Sequence, residues 1–273
     1  MPEQLTVHPS PASFVLSRRR LLALMAGVPL LGAECRAGPG AGREDQDSAG
    51  SRVTLRARPG VPARVTAPGR YPLGLSGERD GFLYVPTSYR PERGAPLLVL
   101  LHGAGQSAEL WSSAALRALL DAAGIVALVP ESRGATWDAV REGFGPDVTF
   151  LDQALGAVFA RCRIDPAHVA LGGLSDGASY ALSLGVANGD LFGALIAFSP
   201  GFFVPPGRRG TPRVFVSHGR QDGVLGIGQT SRRIVPELRA LGYPVRYDEF
   251  DGGHAMPHEV VEAAVRWFVP ADP

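Results

Sequence analysis

The sequence of 273 residues contains no lysine, so all 27 of its basic residues are arginine. This absence excludes the chemistry that needs an amine side chain: Schiff-base catalysis, anchoring of pyridoxal phosphate, a Ser–Lys pair and the phosphate-binding lysine of a P-loop. The arginines are balanced by 26 acidic residues. A net charge of +1 gives no excess that would favour a nucleic-acid partner.

Cysteine is almost as scarce, since only Cys35 and Cys162 occur. We predict that Cys162 lies inside a helix from Leu151 to Arg163, as a buried structural thiol and not as a nucleophile. The chain is 45% hydrophobic and 19% charged. This composition suits one sizeable globular domain with its own core.

Near the N-terminus, Arg18, Arg19 and Arg20 precede an uncharged apolar run that ends at Ala33, and this run is short. The run falls short of the roughly 20 residues that span a bilayer comfortably. The pattern is typical of a cleaved export signal, and the paired arginines resemble a twin-arginine signal.

We therefore predict an export signal over residues 1–33, a flexible linker over 34–51 and one folded domain over 52–273. The mature protein is expected in the periplasm or outside the cell, with no stable membrane insertion after the signal is removed. Lipid on Cys35 is a minority alternative, because Glu34 stands where a lipobox has a small residue.

Beyond the leader, short apolar runs alternate with stretches of helical character. The predicted strands are Val53–Ala57, Gly81–Pro86, Leu97–Leu101, Ile125–Val129, His168–Leu171, Ala194–Phe198, Val214–Val216 and Val245–Phe250. The predicted helices cover about 108–123, 149–163, 178–184, 230–241 and 259–268. This alternation indicates an α/β fold with a mostly parallel central sheet and helices on both faces. Functional side chains collect at the carboxyl ends of such strands.

The most specific local pattern is Gly173-Leu174-Ser175-Asp176-Gly177, between a predicted strand and a predicted helix. A turn this sharp leaves no room for side chains at the flanking positions, which glycine satisfies. The turn lifts the serine hydroxyl clear of the sheet and aims the next backbone N–H toward the same spot. We predict a nucleophile elbow at Ser175, with a glycine-rich turn and an ordinary surface serine as the alternative.

A serine nucleophile needs a base to take its proton. Among six histidines, His254 is favoured because it follows Asp251-Gly252-Gly253, a flexible turn after the last predicted strand. His102 and His218 each precede a glycine at a strand end. His258 follows Pro257 and is predicted to lie in the closing helix.

The base in turn needs an acid, and Asp222 is the favoured candidate in the loop after Val214–Val216. Asp251 is too close to His254 in sequence to reach the far side of the imidazole easily. The alternative for Asp222 is an ordinary turn or capping aspartate. With this choice, the chain order of nucleophile, acid and base is Ser175, Asp222, His254.

Two backbone N–H groups are candidates to bind a developing oxyanion. One belongs to Asp176, directly after the proposed nucleophile. The other belongs to Ala104, in the loop His102-Gly103-Ala104-Gly105 that follows the third predicted strand.

These segments, with Gly219-Arg220-Gln221-Asp222 and Asp251–His254, resemble the phospholipase/carboxylesterase branch of the α/β hydrolases, close to dienelactone-hydrolase-like esterases. The resemblance covers about residues 80–270. It implies an α/β-hydrolase catalytic domain and a serine hydrolase that cleaves carboxylic ester or thioester bonds without a cofactor. Because no cluster of metal ligands is apparent in the sequence, we also expect no metal. Dienelactone hydrolases proper carry a cysteine nucleophile, so Ser175 argues against their lactone specificity.

Three alternatives to a serine hydrolase remain. Gly103–Ala108 follows a strand and opens a helix, as in a dinucleotide-binding turn, but this leaves Ser175 and its partners unexplained. A metal hydrolase would use His254 and His258, yet Pro257 between them disfavours one helix carrying both. A catalytically silent hydrolase-fold binding protein is the third alternative.

The expected substrate is a small-molecule ester with a compact or aromatic acyl group. The segment between the strands near Phe198 and Val214 is too short for a large helical lid. Several aromatic side chains were candidates to line an acyl pocket or to belong to the core: Trp111, Trp137, Phe144, Phe202 and Phe203.

Overall fold

One sheet of eight strands forms the centre of the computed structural model, which describes residues 53–140 and 143–269. The strands are β1 Gly69–Pro72, β2 Gly81–Val85, β3 Ala95–Leu101, β4 Val126–Pro130, β5 Ile164–Leu174, β6 Ala194–Phe198, β7 Arg213–Gly219 and β8 Val245–Phe250. Their order across the sheet is β1-β2-β4-β3-β5-β6-β7-β8. Strand β2 is antiparallel to β1 and β4, and the remaining neighbours are parallel. The predicted, mostly parallel sheet is confirmed.

Helices cover both faces of this sheet. Those in the described residues are α1 Ala114–Ala123, α2 Pro146–Phe159, α3 Asp176–Ala187, α4 Ser231–Ala240 and α5 His258–Phe268, with short 3₁₀ turns at Ala108–Trp111 and Asp138–Val140. Along β3, Leu97, Val99 and Leu101 pack toward α2, α3 and α4. Leu98 and Leu100 face the opposite way, toward α1 and α5. Both faces of the strand are buried, which accounts for its continuous apolar run.

The predicted first strand, Val53–Ala57, is wrong. Leu55 is fully buried, which accounts for the apolar pattern, but its backbone N–H donates to Asn188 Oδ1 at 2.8 Å. The N–H groups of Arg56 and Ala57 donate to Asp152 Oδ1 at 2.6 and 2.8 Å. Side chains in α2 and at the C-terminal end of α3 thus satisfy donors that a sheet ladder would otherwise use. The first strand forms at Gly69–Pro72 instead.

The predicted helix over 108–123 is divided in two. Ser107 accepts a hydrogen bond from the N–H of Glu109, and Ser113 accepts one from the N–H of Leu116 at 3.2 Å. Each serine is therefore an N-cap, and the second one starts α1 anew.

Cys162 lies beyond the end of α2 at Phe159, so its placement inside a helix is wrong. The thiol is buried, as predicted, and burial raises the pKa of Cys162 to about 11. A thiol this hard to ionise is not a nucleophile.

The predicted export signal, the linker and Cys35 lie outside the described residues and stay predictions. Within residues 53–140 and 143–269, no helix has the length and apolar character needed to cross a membrane.

Candidate active site

Ser175 occupies the turn between β5 and α3 with φ 58° and ψ −119°. A positive φ is uncommon for a residue with a side chain, and such strain is characteristic of functional turns. The turn is held at both ends: the N–H of Ser175 donates to the carbonyl oxygen of Phe198 at 2.9 Å, and its own carbonyl oxygen accepts the N–H of Ser179 at 3.0 Å. A bond to the neighbouring strand β6 and the first turn of α3 thus keep the serine in this conformation.

The two glycines around Ser175 lie against other backbone segments. A β-carbon on Gly173 would lie 2.6 Å from the carbonyl carbon of Gly177 and 2.7 Å from the carbonyl oxygen of Leu101. One on Gly177 would lie 2.5 Å from the carbonyl oxygens of both Leu101 and His102. The turn therefore requires glycine at both positions because the backbone of β3 is so near.

The loop after β3, which carries Ala104, reaches the same place. A β-carbon on Gly103 would lie 3.3 Å from Ser175 Cβ. The loop is fixed by the N–H of Gly105, which donates to the carbonyl oxygen of Ala135 at 2.7 Å. Ala104 and Asp176, the two predicted N–H donors, thus belong to the two segments that meet at Ser175.

Asp222 and His254 come together from the loops after β7 and β8. His254 Nδ1 lies 2.7 Å from Asp222 Oδ2, and the side chain of Asp222 is 0% exposed. Asp222 Oδ1 accepts the backbone N–H groups of Val224 and Leu225, each at 2.8 Å.

The electrostatics of this pair favour an ionised Asp222. Burial by itself opposes ionisation, but hydrogen bonds from His218, His254 and the N–H of Leu225 outweigh it and hold the pKa of Asp222 well below its usual range. A carboxylate next to Nδ1 favours the imidazole tautomer that carries its proton there and leaves Nε2 free to act as a base.

Backbone contacts lock the two loops together. The N–H of Gln221 donates to the carbonyl oxygen of Gly252 at 2.9 Å. A β-carbon on Gly219 would overlap the carbonyl oxygens of Gly252 and Gly253. The close approach of these chains brings His254 over the end of β7, to Asp222.

The alternative residues lie elsewhere. His258 is the first residue of α5 and Pro257 is its N-cap, so no single helix carries both His254 and His258. Among the described residues, no group of three or more His, Cys, Asp or Glu side chains is arranged to hold a metal ion. Asp251 is exposed and pairs with Arg220 at 2.7 Å.

His218 is not among the site residues predicted from the sequence, yet the structure places it against Asp222. His218 Nε2 lies 3.0 Å from Asp222 Oδ2, and both side chains are 0% exposed. The signal in the sequence is the spacing in His218-Gly219-Arg220-Gln221-Asp222, which places the histidine near the end of a strand and the aspartate in the turn that follows.

The aromatic candidates divide between core and loop. Trp111 is 2% exposed and Trp137 is fully buried. The Trp137 ring lies 5.1 Å from that of His102 and 5.3 Å from that of Tyr180. These tryptophans therefore belong to the core, whereas Phe202 stays partly exposed.

Comparison with known proteins agrees with this architecture. Residues 74–208 match the model of the family Esterase, described as "Putative esterase". A 120-residue segment is 32% identical to "Putative esterase NocK" of Nocardia uniformis subsp. tsuyamanensis and covers 41% of this chain. That match spans 35% of NocK, about a third of its length.

Two solved structures are similar in fold. One is FphF of Staphylococcus aureus, a fluorophosphonate-binding serine hydrolase, with TM-score 0.60 and 12% identity over 76% of this chain and 100% of that one. The other is the ferulic acid esterase AmCE1/Fae1A of Anaeromyces mucronatus, with TM-score 0.57 and 18% identity over 75% of this chain and 90% of that one. The fold is therefore that of the α/β hydrolases. Residues 74–208, just under half of the chain, resemble the Esterase family.

Proposed function

We propose that this protein is a serine esterase that hydrolyses carboxylic esters, with thioesters as an alternative substrate class, through an acyl-enzyme on Ser175. The observation that carries the proposal is the 2.7 Å contact between His254 Nδ1 and the buried Asp222 carboxylate, in a fold whose strand-to-helix turn presents Ser175 at φ 58°. An ordinary surface serine would need neither the strained turn nor a buried acid–base pair.

The proposed reaction has two halves. His254 takes the proton of Ser175 Oγ as the oxygen attacks the ester carbonyl, and then gives that proton to the leaving alcohol. The acyl group stays on Ser175 until water, deprotonated by the same imidazole, displaces it. Backbone N–H groups of Ala104 and Asp176 bind the oxyanion in both halves, and Asp222 stabilises the imidazolium.

Labelling with a reporter-tagged fluorophosphonate tests this mechanism. We expect wild-type protein to be labelled at Ser175 and Ser175→Ala to remain unlabelled. Ser199→Ala is the matched control, because Ser199 also has a positive φ of 50° but is fully buried. Labelling of Ser175→Ala, or activity lost to a chelator and restored by zinc, would overturn the proposal.

The acyl group is proposed to be compact or aromatic. Residues 199–212, between β6 and β7, contain neither helix nor strand and include Pro205 and Pro206. Without a helical lid at this position, a long acyl chain stays partly in water, and each unburied CH₂ forgoes about 0.8 kcal/mol. AmCE1/Fae1A, named as a ferulic acid esterase, offers a precedent for an aryl ester on this fold.

A panel of p-nitrophenyl esters of increasing chain length, with a feruloyl ester, measures this preference. We expect kcat/KM to be highest for short acyl chains or for the aryl ester. A steady rise toward palmitate would contradict the assignment.

We also propose that residues 1–33 direct export and that the mature chain starts near Glu34–Gly38. The support is the arginine-led apolar leader. N-terminal sequencing of secreted material should find the new terminus in that range. An intact Met1 on protein retained in the cytoplasm would refute export, and lipid on Cys35 would replace free secretion by anchoring.

A further inference from the structure

His218, near the end of β7, is a fully buried histidine whose ring contacts the loop that carries Asp222. Its Nε2 lies 3.0 Å from Asp222 Oδ2 and 2.8 Å from the carbonyl oxygen of Leu225. Both neighbours of Nε2 are acceptors, so Nε2 carries a proton that the two oxygens share. Leu225 closes the network, because its own N–H donates to Asp222 Oδ1.

The contact at the other ring nitrogen is compatible with this tautomer, because a serine hydroxyl can donate or accept. His218 Nδ1 lies 2.7 Å from Ser231 Oγ, and Ser231 is the fully buried first residue of α4. With the ring proton on Nε2, Nδ1 accepts the hydroxyl proton of Ser231. The ring plane of His218 is therefore set from both sides.

The two oxygens of Asp222 are held in different ways. Oδ1 accepts two backbone N–H groups, whereas Oδ2 faces two imidazoles, His254 Nδ1 at 2.7 Å and His218 Nε2 at 3.0 Å. Rotation about the Cβ–Cγ bond would move both oxygens, so the two backbone bonds to Oδ1 and a donor at Oδ2 oppose it together. The Nε2–H of His218 therefore restrains Oδ2, the oxygen that contacts His254.

We infer that His218 is a positioning residue: its Nε2–H bridges Asp222 Oδ2 and the Leu225 carbonyl and holds the carboxylate in the orientation that aligns His254. His218 acts through Asp222. The expected effect on kcat rests on the proposed esterase function, whereas the contact itself can be measured without substrate.

Two substitutions separate the donor from the bulk of the side chain. Glutamine places its amide nitrogen where Nε2 lies, and asparagine places its own near Nδ1. We expect His218→Asn to lower kcat on a p-nitrophenyl ester about 10-fold or more, with KM changed less than about twofold, because a hydrogen bond to a charged group is lost. His218→Gln should recover kcat to at least about five times the asparagine value.

Proton NMR gives an independent readout. The proton between His254 Nδ1 and Asp222 should give a far-downfield resonance that is weakened or shifted in His218→Asn and restored in His218→Gln. Melting temperatures of both variants show whether they fold alike.

A selective loss in His218→Asn, in kcat and in the resonance, supports the inference. Wild-type kcat in both variants overturns it, and so does an equal loss of kcat and melting temperature in both, since that pattern reflects packing alone. If wild-type protein hydrolyses no ester and takes no fluorophosphonate, the proposed function fails, and the resonance alone decides the role of His218.

Discussion

His102 and His218 occupy similar positions in the sequence, but the donor and acceptor roles of their ring nitrogens are reversed. Each lies near the end of a strand, precedes a glycine and is fully buried. His102 Nε2 accepts the N–H of Ser132 at 3.1 Å, and its Nδ1 donates to the carbonyl oxygen of Gly103 at 2.8 Å. His218 has the reverse arrangement: its Nε2 donates toward Asp222 and its Nδ1 accepts from Ser231.

The difference lies in the partners. Burial lowers the pKa of His102, which braces the loop after β3 against the loop after β4. His218 faces a carboxylate that also contacts His254. The same His-Gly dipeptide therefore has two roles. His102 stabilises the loops on one side of Ser175, and His218, as inferred above, aligns Asp222 on the other.

The largest expected effect is on kcat, and it comes from removing Asp222, the carboxylate that His218 contacts and His102 lacks. Asp222→Ala should lower kcat roughly 10⁴-fold, somewhat less than Ser175→Ala or His254→Ala at about 10⁴–10⁶-fold. Steady-state kinetics on a p-nitrophenyl ester measures it. Asp251→Ala is the matched control and should stay near wild type, because Asp251 is exposed and pairs with Arg220. Full activity in Asp222→Ala with none in Asp251→Ala would assign the acid to Asp251.

Removing His102 should act mainly on stability. His102→Ala leaves the N–H of Ser132 without its acceptor and opens a cavity beside Trp137, so the free energy of unfolding should fall by about 2–4 kcal/mol. Urea unfolding measures the loss. His168→Ala is the control: this half-exposed histidine pairs with Asp165, and its loss should cost less than about 1 kcal/mol. Equal losses in both variants would refute a bracing role for His102.

The smallest expected effect is a difference in pH dependence. The folded-state pKa of His102 is lowered, so its contribution to stability is present above about pH 6.5 and is lost as the pH falls below that value. The pKa of Asp222 is also lowered, but from about 4, so its contribution persists until the pH falls below about 4.

Unfolding at about pH 7.5 and about pH 5 separates the two groups. The stability gap between wild type and His102→Ala should narrow at the lower pH, and the gap for Asp222→Ala should not. A gap for His102→Ala that widens toward pH 5 would contradict a lowered pKa for His102.

Local patterns predicted much of the fold. The buried strands from Leu97–Leu101 onward form where apolar runs indicated them, because a strand covered on both faces needs little beyond such a run. The segment Val53–Ala57 has the same apolar character and fails as a strand. Its backbone donors are taken by Asn188 and Asp152, more than 90 residues away, and no local pattern contains that information.

The sequence by itself determined the strand-to-helix turn at Ser175, since glycine at 173 and 177 is what such a turn against β3 requires. It also identified Asp222 and His254 as candidates from their loops. Only the tertiary structure decided which partners each buried imidazole meets. Proton positions on His102, His218 and His254 follow from donors and acceptors supplied by other loops and strands, and those become neighbours only when the sheet has assembled.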